Sequence, residues 1–266
     1  GQGLAEGLSA LFNSFQDVAT HPTSITDRQS ALMQAENLAN QFNQIATGLD
    51  TLGNTLNDTI QEDVAKVNDL LAMIASYNKQ IIATEAGAPG VANDLRDLRQ
   101  QRVEELAALV NIQTSEQPNG SLDLSVGGTS LIVGQKVQDT LEAYDAGGGH
   151  LTVRTQTGGA PLALTGGTIA GTIEARDGEL TSMRTNLDTL ASQLIAQVNA
   201  IHRAGYGLTG TTGADFFTGT NAADIGVNQA LLDDPSQLQV SGVSGATGDN
   251  QVGLALAQLA NESLAG

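Results

Sequence analysis

Leu4, Leu8, Leu11, Phe12, Phe15 and Val18 recur at steps of three and four residues, which predicts an amphipathic helix closing near His21-Pro22. Ser24-Ile-Thr-Asp27 follows, a hydroxyl with an acid three positions on, and reads as the cap of a second helix. From there to about Thr84 the spacing continues through Leu38, Phe42, Ile45, Leu49, Leu52, Leu56, Ile60, Val67, Leu70, Ile74, Tyr77 and Ile81 without a proline. About 60 residues rising 1.5 Å each give a helix of roughly 90 Å, the length of a coiled-coil or bundle rod. Glu85-Ala-Gly-Ala-Pro-Gly90 stops it. Asn93 is expected to cap a return helix with Leu95, Leu98, Val103, Leu106 and Val110 on one face, and so short a connection makes the two helices antiparallel neighbours.

The period changes near Ile112. Between 113 and 173 the short runs Ser121–Val126, Thr129–Val133, Leu151–Thr155 and Pro161–Leu164, separated by Pro-Asn-Gly, Gly-Gly and Gly-Gly-Gly, predict five or six strands joined by tight turns. Helical spacing resumes at about Arg176 with Leu180, Met183, Leu187, Leu190, Leu194, Val198 and Ile201. The expected fold class is therefore α+β, a long-helix, coiled-coil-like bundle with an inserted small β domain. Residues 1–112 plus 174–266 would form the discontinuous helical domain and 113–173 the β-rich insert. Short apolar runs from Ala223 to Val243 predict a β hairpin or extended loop around 216–245, and Asp249 is expected to cap a last helix carrying Val252, Leu256 and Leu259.

Composition narrows the function. The chain of 266 residues has five Phe, three Tyr and no Trp, so aliphatic side chains do most of the packing, which suits helices meeting side by side. A net charge of −18, from 29 acidic against 11 basic residues, disfavours nucleic acid and anionic membrane surfaces. With no cysteine, disulfides, thiolate metal sites and a cysteine nucleophile are excluded. No apolar run reaches the roughly 18 residues of a membrane span, and the opening residues lack the layout of a secretory signal. Residue 1 stands directly before an amphipathic stretch, so the chain reads as a piece of a longer protein.

Candidate chemistry is sparse. Gly205-Tyr-Gly-Leu-Thr-Gly210 spells G-x-G-x-x-G, but a dinucleotide loop needs a strand before it and a helix after it. Here a helix precedes, and Thr211-Thr-Gly-Ala-Asp-Phe-Phe217 is not amphipathic; Gly205 reads instead as a left-handed helix cap. His21, His150 and His202 lie at metal-ligand spacing from no other nitrogen donor, and His202 reads as a partly cationic ring at a helix C-terminus. Gly242-Val-Ser-Gly-Ala lacks the last glycine of a nucleophile elbow. Glu62-Asp63 and Glu104-Glu105 read as solvated helix faces and Asp233-Asp234 as a turn, and the basic cluster from Asn93 to Arg102 as an exposed face of Asp and Arg pairs. No catalytic, cofactor-binding or metal residue is assigned, and no enzyme activity is expected.

Several of these stretches resemble, in order, the flagellar hook-associated protein 1 family of bacteria. Ala92–Leu106 is similar to the family element N-x-L-x-D-x-R-D-x-L-x-x-x-L at Asn93, Leu95, Asp97, Arg99 and Leu106, departing at Gln100 and Arg102. Gly167-Thr-Ile-Ala-Gly171 with Arg176, Leu187 and Leu190 is similar to the segment that re-enters the rod, and Asn199, His202, Gly205, Gly210, Gly213 and Phe216-Phe217 to its N-x-x-H-x-x-G … F-F signature. The resemblance implies a flagellin/hook-associated type rod domain and a secreted structural protein of the bacterial flagellum, exported by the type III apparatus without a cleaved signal. It would join hook to filament as a ring-forming adaptor, its partners the hook protein, the second junction protein, further copies of itself and an export chaperone at a C-terminal segment absent here. The family's terminal assembly helices look removed, leaving a central fragment. The competing expectations are the neighbouring junction protein or a divergent flagellin and, further off, a nucleotide-binding enzyme.

Overall fold

In the computed structural model, which describes residues 3–88 and 90–261, α1 spans Leu4–Thr20 and α2 Ile25–Glu85. Ser24 Oγ accepts the Asp27 N–H at 3.2 Å, capping α2 as its sequence requires. Pro89, the proline of the expected break, lies outside the described residues. The return helix α3 runs Asn93–Leu109, but Asn93 is its first residue and not its cap. The carboxylate of Glu85 does the capping, accepting the Ala92 N–H at 3.2 Å.

Strands β1 Ile112–Glu116, β2 Leu122–Val126, β3 Thr129–Val133 and β4 Lys136–Val137 form one antiparallel sheet in that order. A separate hairpin pairs β5 Leu141–Asp145 with β6 Leu151–Thr155. The run Pro161–Leu164, expected as a strand, makes only a single bridge, from Pro161 to Arg154; proline has no N–H to give a ladder. Helix α4, Thr168–Ala175, continues through a π-turn, Arg176–Leu180, into α5, Thr181–Arg203. The helix therefore starts at Thr168 rather than near Arg176. Its first two turns carry only Ile169 and Ile173 in a run of Thr, Ala and Gly, too few apolar positions to show a period. Gly167 opens it at φ 86, where a Cβ would lie 2.4 Å from the Leu109 carbonyl oxygen. Beyond α5, β7 Phe217–Thr218 pairs with β8 Gly226–Val227. Where a loop was expected the short helix α6, Gln229–Asp233, follows, capped by Asn228. Helix α7 runs Gln251–Gln258. Its cap position is Asn250 and not the expected Asp249, which stands one residue earlier and takes the Gln251 N–H at 3.4 Å and the Gly242 N–H at 2.5 Å.

These elements form two compact units: residues up to Thr51 together with those from Ser182 on, and Leu52–Thr181. The strands of the segment 113–173 lie in the second unit, which also holds the later part of α2, α3 and α4. The first unit has one core, in which Leu11 and Phe15 of α1, Leu38 and Phe42 of α2, Leu194 and Val198 of α5, Phe216 and Leu256 of α7 are buried together. At Gly253 α7 approaches α1 so closely that a Cβ would meet Val240 Cγ1 at 2.9 Å and Ala19 Cβ at 3.2 Å.

In the second unit Ile60, Val67, Leu71 and Ile74 of α2 pack with Leu106 of α3 and with Leu124, Ile132, Leu141 and Val153 of the strands. Three asparagines on α2 bind strand backbone beside that core. Asn68 donates to the Leu141 carbonyl and accepts the Leu141 N–H, both at 2.8 Å. Asn78, fully buried, does the same for Leu122 at 2.8 and 3.1 Å and also donates to the Gly134 carbonyl at 2.7 Å. Asn57 donates to Gly149 at 2.7 Å and accepts from Leu151 at 3.3 Å. At about 100° per residue, positions 57, 68 and 78 fall within about 80° of one another on the helix, so one face serves all three.

Removing Asn78 leaves several buried backbone groups without partners, and each such group costs about 1–3 kcal/mol. Asn78→Leu is therefore expected to destabilise the second unit by about 3 kcal/mol or more and Asn57→Ala, which is half-buried, by about 1 kcal/mol. Urea unfolding followed by circular dichroism measures both; equal, small losses would contradict the assignment.

Candidate functional site

The stretch after α5 is where the sequence offered a nucleotide loop. A helix, not a strand, precedes it, and residues 211–228 after it contain no helix. Its amides are already engaged: Gly205 N–H bonds the His202 carbonyl at 3.0 Å, Gly207 that of Thr211 at 2.8 Å, Leu208 that of Ser236 at 2.8 Å and Gly210 that of Gly207 at 3.1 Å. A phosphate cradle needs those donors free. The left-handed residues are Gly210 and Gly213, at φ 85 and 77. Gly205 does not form the expected left-handed cap. It is glycine because a Cβ would lie 3.1 Å from Gln239 Cβ, Gln239 O and Val252 Cγ1: the chain leaving α5 is pressed against residues 239–252.

Four side chains of α5 and its exit hold that arrangement. Asn199 donates to the Phe217 carbonyl at 2.8 Å and accepts the N–H groups of Phe216 at 2.9 Å and Phe217 at 2.8 Å. His202 is fully buried, one helical turn further on. Its Nδ1 faces the Ala214 carbonyl at 2.8 Å and its Nε2 accepts the Gln239 N–H at 3.0 Å, so the ring is the neutral Nδ1–H tautomer. Burial pushes its pKa down to about 4, which replaces the partly cationic ring expected at the helix end. Phe216 and Phe217 are also buried. Phe216 meets Phe217, Phe15 and His202 edge-on at centroid distances of 4.7, 5.3 and 5.6 Å, a geometry aromatic quadrupoles favour.

Arg28 completes this centre and was not singled out from sequence. It is 1 % exposed and bonds carbonyls only: Pro22 from Nε at 3.0 Å and from a terminal nitrogen at 2.6 Å, and Leu238 at 2.5 Å. Burial lowers its pKa to about 10, so it remains a cation near neutral pH. The available signal was its place in the buried row Arg28, Ala31, Ala35, Leu38, at helical spacing.

The second unit has its own polar centre, where part of the expected exposed basic face is buried. Arg99, only 6 % exposed, donates to Asn78 Oδ1 at 2.9 Å and the Gly120 carbonyl at 2.8 Å. Arg96 pairs with Glu85 and Glu116, and its hydrogen bonds are the main cause of the Glu85 carboxyl falling to about 2. Arg102 keeps to the helix, pairing with Glu105 at 2.7 Å. At the π-turn Arg176, 3 % exposed, bonds Asn57 Oδ1 at 2.7 Å, the Leu151 carbonyl at 2.6 Å and Asp177 through two nitrogens.

The remaining candidates are local. Asp63 accepts from Thr168, Glu104 from Gln100 and Asp233 from Gln229, while Asp234 caps Ser236. His21 faces Asp27 and His150 faces Asp177. Among the described residues no group of three or more His, Asp or Glu could hold a metal ion, and no helix is long and apolar enough to cross a membrane.

A family model described as the flagellar hook-associated protein FlgK helical domain matches residues 1–217. The chain belongs to that family. The match ends on Phe217, the second of the buried phenylalanine pair. Flagellar hook-associated protein 1 of Salmonella typhimurium is 30 % identical over 230 residues, covering 81 % of this chain and 40 % of the relative. That of Bacillus subtilis is 24 % identical over 286 residues, covering 93 % and 56 %. The flagellar hook junction protein FlgK from Burkholderia pseudomallei has a similar solved structure, with a TM-score of 0.72 and 27 % identity over 82 % of this chain and 41 % of that one. The chain thus spans roughly half, or less, of the length of these FlgK relatives.

His202 gives the first unit a pH dependence of known sign. Its folded pKa, about 4, lies below the ordinary imidazole value of 6.5, so the unfolded chain takes up the proton first. The stability is fully present above about pH 6.5 and is lost as pH falls towards 4; at about 1.4 kcal/mol per unit this is about 3 kcal/mol. Chemical denaturation between pH 7 and 4 should show that loss in the first unit, and His202→Gln should flatten it. An unchanged slope in the variant would contradict the assignment.

Proposed function

We propose that this chain is the central, structural part of a hook–filament junction protein of the bacterial flagellum. The observation that carries the reading is the family match over residues 1–217, joined to a site whose polar groups bind the chain's own backbone. The Asn199, His202 and Phe216-Phe217 residues of the resembling signature fix the exit of a long helix. Substrate chemistry would need such groups free and convergent, so the chain is read as no enzyme and needs no cofactor.

In this reading the discontinuous helical domain supplies a stiff wall and the β-rich insert, residues 113–173, contacts neighbouring copies. Each copy meets the next head to tail, which closes a ring when the rotation permits. The hook protein lies on one side and the second junction protein on the other. The protein is exported by the flagellar type III apparatus and works outside the cell, with a chaperone engaging a segment outside this chain. The acidic surface favours protein partners over nucleic acid or anionic membrane.

Electron microscopy of a strain lacking the gene tests the role. Bare hooks, with flagellin shed into the medium, are the expected outcome, restored by the intact gene. Complete filaments on motile cells would refute it.

A further inference from the structure

Asn119-Gly120 is the sole Asn-Gly step in the sequence. It lies in the turn between β1 and β2, with Asn119 exposed. The backbone nitrogen of a glycine has no side chain to shield it and attacks a preceding side-chain amide more readily than any other residue's. The asparagines that hold the fold are protected in two ways. Asn57, Asn68, Asn78 and Asn199 are followed by Asp, Asp, Lys and Ala, and each sits inside a helix with its amide bonded to backbone.

We propose that Asn119 is a deamidation and isomerisation site whose reaction the folded turn holds back, and whose isomerised product unfastens the Asn78–Arg99 clasp. In the reaction Gly120 N loses its proton to solvent base and bonds Asn119 Cγ, and ammonia leaves, giving a five-membered succinimide. Water then opens the ring. Cleavage at Cγ gives aspartate; cleavage at the main-chain carbonyl gives isoaspartate, whose backbone runs through Cβ and Cγ and is one carbon longer.

The turn opposes the first step. Gly120 N–H is donated to the Gln117 carbonyl at 2.9 Å, and Asn119 Oδ1 is held by Ser121 N–H at 3.1 Å and by Ser121 Oγ at 2.8 Å. The Gly120 carbonyl is in turn held by Arg99 at 2.8 Å. The attacking nitrogen must break from this frame and swing towards Cγ, so the reaction waits for local opening.

The same frame explains why the product is damaging. Gly120 has φ +84, and a Cβ there would lie 2.9 Å from an Arg96 nitrogen and 3.0 Å from a Glu85 oxygen and Ile81 Cγ2, so the turn is packed against these side chains and a lengthened backbone must shift it. Displacing its carbonyl removes an acceptor from Arg99, which is buried and also bonds Asn78. Aspartate without isomerisation keeps an oxygen for Ser121 and leaves the backbone in place.

Peptide mapping by mass spectrometry of the intact protein, incubated at mildly alkaline pH with and without urea, tests the proposal. Asn119 should be the first asparagine converted in urea, at least about tenfold faster there than in the native protein, an opening cost of about 1.4 kcal/mol or more. Protein carrying isoaspartate at 119, isolated by chromatography, should melt at lower temperature than untreated protein, whereas Asn119→Asp should melt with it. Equal rates in the two conditions would overturn the gating. Another asparagine reacting first would overturn the site, and an isoaspartate form that melts normally would overturn the link to the clasp.

Discussion

Asn68 gives an N–H to the Leu141 carbonyl and takes the N–H of the same residue, so one side chain does for Leu141 what a neighbouring strand would do. A carboxamide can do this because it carries a donor and an acceptor side by side, matching the pair on the backbone. The same contact recurs where Asn78 meets Leu122 and where Asn199 meets Phe217. Helices have no backbone groups left to offer a strand, so without such side chains an edge facing a helix would be buried unsatisfied. The amides let apolar helix faces and irregular β segments share one core.

Buried guanidiniums extend the principle. Arg28, Arg99 and Arg176 each reach main-chain carbonyls, and Arg28 has only carbonyl partners. A planar fork with five donors can bind several backbone segments at once, and each bond compensates part of the desolvation of the charge. The polar interior thus does positioning: Leu238 is tied to the start of α2, the β1–β2 turn to α2 through Arg99 and Asn78, and β6 to the π-turn. A chain with few aromatics and no disulfides gains a defined shape from such bonds, whereas its aliphatic contacts are non-directional.

Much of the fold was legible because long helices repeat their signal. The row from Leu38 to Ile81 foretold α2, and the glycine-punctuated runs foretold β2, β3 and β6 but not β1, β4 or β5. The start of α4 was hidden because its β-branched and small residues mask the period, and Pro161–Leu164 looked like a strand because alternation alone ignores the missing proline N–H. At the exit of α5 the neutral state of His202 was not legible, because it depends on the Gln239 N–H, 37 residues away in sequence. The clamps were equally non-local, yet they left a trace: Asn68 lies between Val64 and Leu71, and Asn78 between Ile74 and Ile81, all four buried. A polar amide with buried apolar residues at −4 and +3 must bond something inside, and the sequence cannot say what.

Native-state hydrogen exchange read by NMR bears most directly on these clamps. The amides of Leu122, Leu141 and Phe217, each bonded to an asparagine side chain, should exchange as slowly as core amides of the helix that carries the asparagine, and in the same opening event. Exchange at those three positions as fast as at the exposed turn residues Gly147 and Gly148 would show that the side-chain clamps do not hold the strands.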